Sequence, residues 1–488
     1  MFNDKWLMLK TQQSIFNVNL LFGFVLIVSP WLVLLLGSFF TGHSITNLVP
    51  VWSDELEYWH EVLSLSQKGL NHGYYTYNEV IPAFSTFGPH GFGVVSVYAL
   101  FAKVFGWKVY SIVVANAFFM SLAFLFLILI LKPTVKQITF IILLTITFVP
   151  FLLFSTTSMS EGLNYALIAI YFALIYRFIQ RGEKKLLLAL IAVCTVFSLI
   201  RIIYIILFLP ILFIRNREFM FDRKLLLFIS IWLIFSVVLF VINGLFVSPF
   251  PDSFLHELFT TNGIIGKTEL FFSHFFQNII KFINPLSDNI LQTAGRYILL
   301  IVLFYSLIKS GTFQFKPKKI RIDFFVVNLI LFFVLIITFA AYDVFDWRDY
   351  RVFAPVLYGC MLFLIFNSNK FELYSLLVIN VLVLVVSLLK PQIWESFNEG
   401  RLSPITENVL LRKIEFIDNP TNNFDNTLVV QSFNQNMVLN VPAGIGISVV
   451  DSLSDGLKSK YIFSAKELNL KTHKLLYSDK SGYLYKIN

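Results

Sequence analysis

Apolar residues in this chain run on for roughly 15 to 25 positions at a time, and polar residues are gathered into the breaks between the runs. Continuous runs of that length predict membrane-crossing helices and not barrel strands, which would alternate. A helix also satisfies its own backbone hydrogen bonds in hydrocarbon. The pattern predicts spans at 15–40, 109–131, 137–155, 162–178, 186–200, 202–214, 225–247, 292–308, 322–340, 353–366 and 371–390, about eleven crossings in all. The stretch 88–107 is apolar but short, and a full crossing there would move every later basic loop to the other face. It is therefore expected to lie in the interface or to re-enter. Beyond residue 390 the composition turns mixed and polar, with candidate strands at 427–433, 460–464, 473–477 and 482–487 between turn formers. The predicted fold class is mainly α. It comprises a polytopic transmembrane bundle with interfacial helices over 1–390, including an extracytoplasmic loop at 41–108, and a small C-terminal extracytoplasmic α/β domain over 391–488.

Composition agrees with the pattern. The 488 residues are 57% hydrophobic and only 14% charged, which excludes an ordinary soluble globule. The net charge of +9 matters through its placement. Basic residues collect in short connecting loops at Lys132/Lys136, Arg177/Arg181/Lys184/Lys185, Arg215/Arg217/Arg223/Lys224 and Lys309/Lys316/Lys318/Lys319/Arg321, which assigns those loops to the cytoplasm. An odd number of crossings then puts the N-terminus inside and the C-terminal domain outside a plasma (inner) membrane. The charges form no single stripe, so nucleic acid is excluded as a partner. Cys194 and Cys360 both sit in apolar runs, so no disulfide framework is expected. The first run follows a basic start without a small-residue cleavage site and is read as a retained span.

Against this apolar background the polar clusters stand out. Asp54, Glu57, Tyr58 and Glu61 share one face if 54–68 is helical, with Ser53 as N-cap. Like charges on one face repel unless a cation or basic group is present. The bland alternative is an amphipathic helix on the membrane surface with Leu56, Trp59 and Leu63 towards lipid. The turn 154–164 interrupts two apolar spans and carries Glu161, a carboxylate at a membrane edge that needs a partner or water. Arg201 breaks an apolar run, and Arg348 and Arg351 lie between two late spans. Guanidinium forks facing an acidic pocket suit phosphate oxygens, although snorkelling to the interface accounts for any one of them. His60 and His90 fit no recognised metal spacing. No nucleotide-binding glycine loop, Gly-x-Ser-x-Gly elbow or His-Glu-x-x-His occurs, which disfavours an ATP-driven pump and most membrane hydrolases.

The order of a long first span, Trp52-Ser53-Asp54-Glu55-Leu56-Glu57-Tyr58-Trp59, then Phe87-Gly88-Pro89-His90-Gly91 and an apolar segment ending Phe105-Gly106 resembles the start of GT-C membrane glycosyltransferases. It is most similar to the branch of protein mannosyltransferases and bacterial aminoarabinose and lipopolysaccharide-core sugar transferases. Met159-Ser160-Glu161-Gly162 resembles that branch's second acidic loop, with Glu where Asp is commoner and Gly162 in place of a familiar Met or Pro. Arg348-Asp349-Tyr350-Arg351-Val352-Phe353-Ala354-Pro355 resembles its entry to a late span. The resemblance covers about 20–360 and implies transfer of a sugar from a polyprenyl-phosphate donor, at the outer face, to a glycan, lipid or protein acceptor.

On that resemblance Asp54, Glu55 and Glu161 are the catalytic candidates, with Asp54 the base for the acceptor hydroxyl and Glu55 a group that binds a cation or orients the acceptor. Tyr58, His90, Arg201, Arg348 and Arg351 are the substrate-binding candidates. Metal dependence is left open, with Mg or Mn the cation that Asp54, Glu55 and Glu161 would hold. The rival functions are a transporter or flippase of lipid-linked saccharides, which would place charges in mid-span and show related halves, and a sugar polymerase.

Overall fold

The computed structural model describes residues 2–42, 44–70, 72–80, 87–88, 90–215, 218–219, 223–247, 254–283, 290–310, 321–342, 351–389, 394, 401, 407–431 and 435–487. The first half runs α1 (Phe2–Thr41), α2 (Ser53–Lys68), β1 (Tyr75–Tyr77), α3 (Phe92–Phe105), α4 (Ser111–Leu131), α5 (Val135–Thr147), α6 (Val149–Ser155), α7 (Glu161–Arg181), α8 (Lys184–Ile200), α9 (Leu209–Phe213), β2 (Ile214–Arg215), β3 (Glu218–Phe219) and α10 (Arg223–Gly244). The second half continues with α11 (Phe254–Thr260), α12 (Ile264–Ile283), α13 (Ile290–Ser310), α14 (Ile322–Ala341), α15 (Ala354–Asn367) and α16 (Lys370–Leu388). Strands β4 (Thr427–Val430), β5 (Gly446–Val449), β6 (Tyr461–Ser464), β7 (His473–Asp479) and β8 (Gly482–Ile487) follow.

Among the described residues, six helices are long and apolar enough to cross a membrane, or seven if the bent pair α5–α6 counts as one span. The chain is thus a polytopic membrane protein, but the expectation of about eleven spans is overturned. The cause is that an apolar run is not a crossing. α8 has 17 residues, the run after Arg201 is a 3-10 segment (Ile202–Phe208) leading into the five-residue α9, and α15 has 14 residues. A helix rises only about 1.5 Å per residue, so none of these alone covers about 30 Å of hydrocarbon. α3 also has 14 residues. With six or seven spans, an odd number of crossings no longer fixes which side the N-terminus occupies.

Polar and left-handed residues cut the apolar runs into helices. α4 stops where Lys132 adopts φ 49° ahead of Pro133, and Thr134 opens α5 in a capping box with Gln137. Phe148 is extended and Pro150 stands in the first turn of α6, so α5 and α6 meet at a 63° bend. That bend aims the turn 156–160 back at the start of α7.

The ends of the bundle differ in charge. α7 and α15 lie side by side in the same direction, because Phe172 and Tyr176 meet Phe363 and Tyr176 also meets Phe366. Gly359 permits this approach, since a Cβ there would collide with Ile168 and Phe172. Gly359→Leu is expected to destabilise the bundle by about 1–3 kcal/mol through overpacking, read as a lower thermal midpoint of purified protein in lipid. Parallel packing puts Arg181 and Asn367 at one end, where Arg321 donates to the Asn367 carbonyl and Lys309 pairs with Glu372 at 2.8 Å. Glu161 and Arg351, at the other ends of the same helices, belong to the opposite face.

The C-terminal region is a six-stranded sheet in the order β1-β5-β4-β6-β8-β7. β1, β5, β4 and β6 are parallel, and β8 and β7 join antiparallel. β1 comes from the loop 41–108, so the sheet predicted for 391–488 takes an edge strand whose residues precede their β5 partners by 372 positions, as in Tyr75 opposite Ile447. Leu56 of α2 enters the same core as Leu428, Ile447 and Tyr461. His60 Nε2 lies 2.6 Å from the Ile445 carbonyl oxygen, and Ser64 Oγ accepts from Gly444 N at 3.0 Å. α2 is therefore clamped between the sheet and α3 and does not lie on lipid. Trp59, which the surface-helix alternative turns towards lipid, is buried and donates to the Lys108 carbonyl at 3.1 Å.

Candidate active site

α2 opens at Ser53 with Trp52 as its N-cap, one residue earlier than expected. The first turn sends its two acids in opposite directions. Glu55 turns inward and is wholly occupied: Oε2 accepts from Val51 N at 2.7 Å, Trp52 N at 3.0 Å and Arg401 Nη1 at 2.8 Å. Its Oε1 accepts from Ser158 N at 2.8 Å and pairs with Arg401 Nη2 at 2.8 Å. Asp54 turns towards α15 and keeps 22% of its side chain exposed. Its Oδ2 lies 2.8 Å from Arg351 Nη2 and its Oδ1 3.6 Å from His90 Nε2. Burial alone would raise the Asp54 pKa, but His90 and Arg351 outweigh it and hold the carboxyl well below the usual range.

His90 stands between acids. Its Nε2 is also 3.8 Å from Glu57 Oε2, and its ring lies 4.8 Å from that of Tyr58. Behind it, Glu57 and Glu61 form a buried pair against Gly88, where any Cβ would strike both carboxylates. Glu61 accepts from the backbone N–H groups of Gly88 and Tyr75. Burial pushes its pKa up to about 8 despite those bonds, while burial together with the charges of Glu61 and Asp54 pushes Glu57 well up. Both shifts favour the protonated forms. A raised native pKa means that the folded state binds protons the unfolded state has already lost. Stability is then greatest below about pH 4.5 on this account and declines as pH rises towards about 8. Thermal midpoints measured across that window should fall, and Glu61→Gln should flatten the slope.

The second acid, Glu161, opens α7 and is fully buried. Its Oε1 meets Arg201 Nη2 at 2.6 Å. Arg201 sits where α8 ends and the 3-10 segment begins, with extended backbone. Around this pair, Glu161 Oε2, Arg201 Nη1, the Asn164 amide, Tyr165 OH, Tyr204 OH and Ser158 Oγ are buried with no hydrogen-bond partner among the described residues. Unmet polar atoms at this density are costly in an apolar bundle and call for water or a ligand.

Asp54 and Glu161 share neighbours. Tyr58 feels the charges of Asp54, Arg201 and Glu161, and Arg351 those of both Asp54 and Glu161. Met159 Sδ lies 3.8 Å from Arg351 Nη1. Asp54, Tyr58, His90, Glu161, Arg201 and Arg351 are thus brought together, Glu55 is turned away, and Arg348 lies outside the described residues. Asp54 and Glu161 are each matched by their own guanidinium. Among the described residues no three His, Cys, Asp or Glu side chains form a group that could hold a cation, and Glu55 is engaged by Arg401 instead of facing Asp54 and Glu161. Sequence reasoning missed Arg401, whose polar surroundings carried no signal. It also missed the burial of Glu57 and Glu61, which their i, i+4 spacing put on a face without saying what covered it.

No protein-family model and no curated protein matches the chain. Among solved structures it is similar to the archaeal oligosaccharyltransferase AglB from Archaeoglobus fulgidus in complex with an inhibitory peptide and a dolichol-phosphate. That pair shares 11% identity over 89% of this chain and 69% of the other, with a TM-score of 0.45. It is also similar to ArnT from Cupriavidus metallidurans bound to undecaprenyl phosphate, with 12% identity over 96% of this chain and 97% of the other and a TM-score of 0.39. The apo form of that ArnT gives 10% identity over 88% and 85% of the two chains, with a TM-score of 0.38.

Proposed function

We propose that the chain is a membrane glycosyltransferase that moves a sugar from a polyprenyl-phosphate donor to a hydroxyl of a glycan, lipid or protein acceptor at the outer face. One observation carries the reading. A partly exposed ionised Asp54 and a buried Glu161, each beside an arginine, meet at the end of the bundle opposite Lys309, Arg321 and Arg181. Loops rich in Lys and Arg stay in the cytoplasm, so the site faces outward, and the sheet built from β1 and the C-terminal region lies on the same side as an extracytoplasmic domain. Charges gathered at one end favour chemistry there over a path through mid-span.

In this mechanism the acceptor oxygen attacks the anomeric carbon, the bond from that carbon to the phosphate oxygen breaks, and polyprenyl phosphate leaves. The hydroxyl proton passes to Asp54. A carboxylate gripped by a guanidinium is a weak base, so Arg351 has a double part: when the donor phosphate draws on it, Asp54 loses its strongest partner and gains proton affinity. Asp54 keeps 22% of its side chain exposed, so it returns that proton to solvent once polyprenyl phosphate has left. Arg201 and Tyr58 line the inner side, and the isoprenoid tail stays among the lipid-facing helices by the hydrophobic effect.

The test supplies purified protein in lipid with a panel of polyprenyl-phosphate sugars and acceptors and measures polyprenyl phosphate release. Movement of the lipid-linked sugar between leaflets with no release from any donor would favour a flippase instead.

A further inference from the structure

Arg401 is a fully buried charge in a region that the sequence presents as a polar tail. It grips both oxygens of Glu55 at 2.8 Å, donates to the Val49 carbonyl at 3.2 Å and lies over the Trp52 ring at 5.0 Å. Glu55 in turn receives Ser158 N from the turn that precedes Glu161. A single carboxylate therefore ties together three segments: the start of α2, the turn between α6 and α7, and residue 401 from beyond the last membrane helix. Asp54 is the neighbour of Glu55 in the first segment, and Glu161 follows three residues after Ser158 in the second.

A bidentate arginine–carboxylate pair fixes direction as well as distance. A buried pair is weak evidence of a contribution to stability, since apolar replacements often fold as well or better. Here the geometry imposed is that of the two acids. We infer that Arg401 is a positioning residue: acting through Glu55, it holds Asp54 and Glu161 in the relative placement that transfer needs, so that the C-terminal region is part of the active site and not an appendage. This rests on the transferase reading for its consequence, but the coupling itself can be read without activity.

The experiment compares wild type with Arg401→Lys, which keeps the charge but loses the fork, and Arg401→Gln. Both are reconstituted in lipid, and hydrogen exchange and transfer kinetics are measured on the same samples. Expected is a joint rise in exchange, about tenfold, in peptides spanning 49–58 and 156–160, with the interior of α7 beyond Tyr165 unchanged. Donor KM should stay within about threefold while kcat falls about tenfold to 100-fold, because a displacement of about 1 Å in a catalytic group costs rate and not affinity. If Arg401→Gln does not fold, Arg401→Lys carries the comparison. Exchange that rises only around residue 401, or an unchanged kcat in an active enzyme, would overturn the inference. Wild type that transfers no sugar from any donor would defeat the transferase reading, and the exchange data would still decide whether Arg401 couples the two segments.

Discussion

Asp54→Asn is expected to lower sugar transfer by about 10²–10⁴-fold while leaving the fold and donor binding in place. The substitution is isosteric, and the carboxylate it removes is the site acid that retains solvent access, with 22% of its side chain exposed. Arg351 and His90 lose an anion but remain near the surface, where water takes over its part. The loss should lie in kcat, since the carboxylate is needed when the acceptor proton departs and not when the donor binds. Arg351→Lys should behave differently. It keeps a positive charge beside Asp54 but loses the planar fork, so both donor KM and kcat should worsen. The pH profile gives a further check. Asp54 is held ionised well below the usual carboxylate range, so the free enzyme should show no loss of kcat/KM from this group as pH falls from 7 towards about 5. Transfer at near wild-type rate by Asp54→Asn would remove the proton acceptor from the mechanism.

The sequence made the helical bundle legible because lipid imposes a coarse rule, and α4, α7, α10, α14 and α16 follow it. It misjudged the number of crossings because composition does not reveal where a helix ends. Arg201 is legible as a break but reads as the turn between two spans at 186–200 and 202–214, whereas the chain turns extended there, brings the guanidinium to Glu161 and continues as a short 3-10 segment. Four strands of the C-terminal sheet were visible from β-branched and aromatic residues. β5 was not, because Gly446 opens it and weakens the signal. β1 was invisible for another reason: three residues of loop become a strand only because a partner hundreds of residues away supplies the hydrogen bonds. The acids at 54 and 161 were legible as polar residues out of place beside apolar spans. What their neighbours do was not. Asp54 and Glu55 look equivalent in sequence, and only the approach of Arg401 and Ser158 from distant segments separates an exposed acid from a structural one.

The largest effect on stability is expected at Glu161 and Arg201. Removing either partner leaves the other charge buried in an apolar bundle, a change that typically costs about 3–5 kcal/mol. Arg201→Met and Glu161→Gln should each lower the thermal midpoint in lipid by about 3–5 °C. The double variant Glu161→Gln/Arg201→Met carries no stranded charge and should recover most of that loss, so the two effects are far from additive and the cycle isolates the coupling. Activity should not recover with stability. The same unpartnered atoms that make the region costly, Arg201 Nη1 and Glu161 Oε2 with the Asn164 amide and the Tyr204 hydroxyl, are those that a substrate would satisfy. A stable double variant that transfers no sugar would separate the two roles of the pair. A double variant that remains as unstable as the singles would show instead that the site is held by the shape of these side chains and not by their charge.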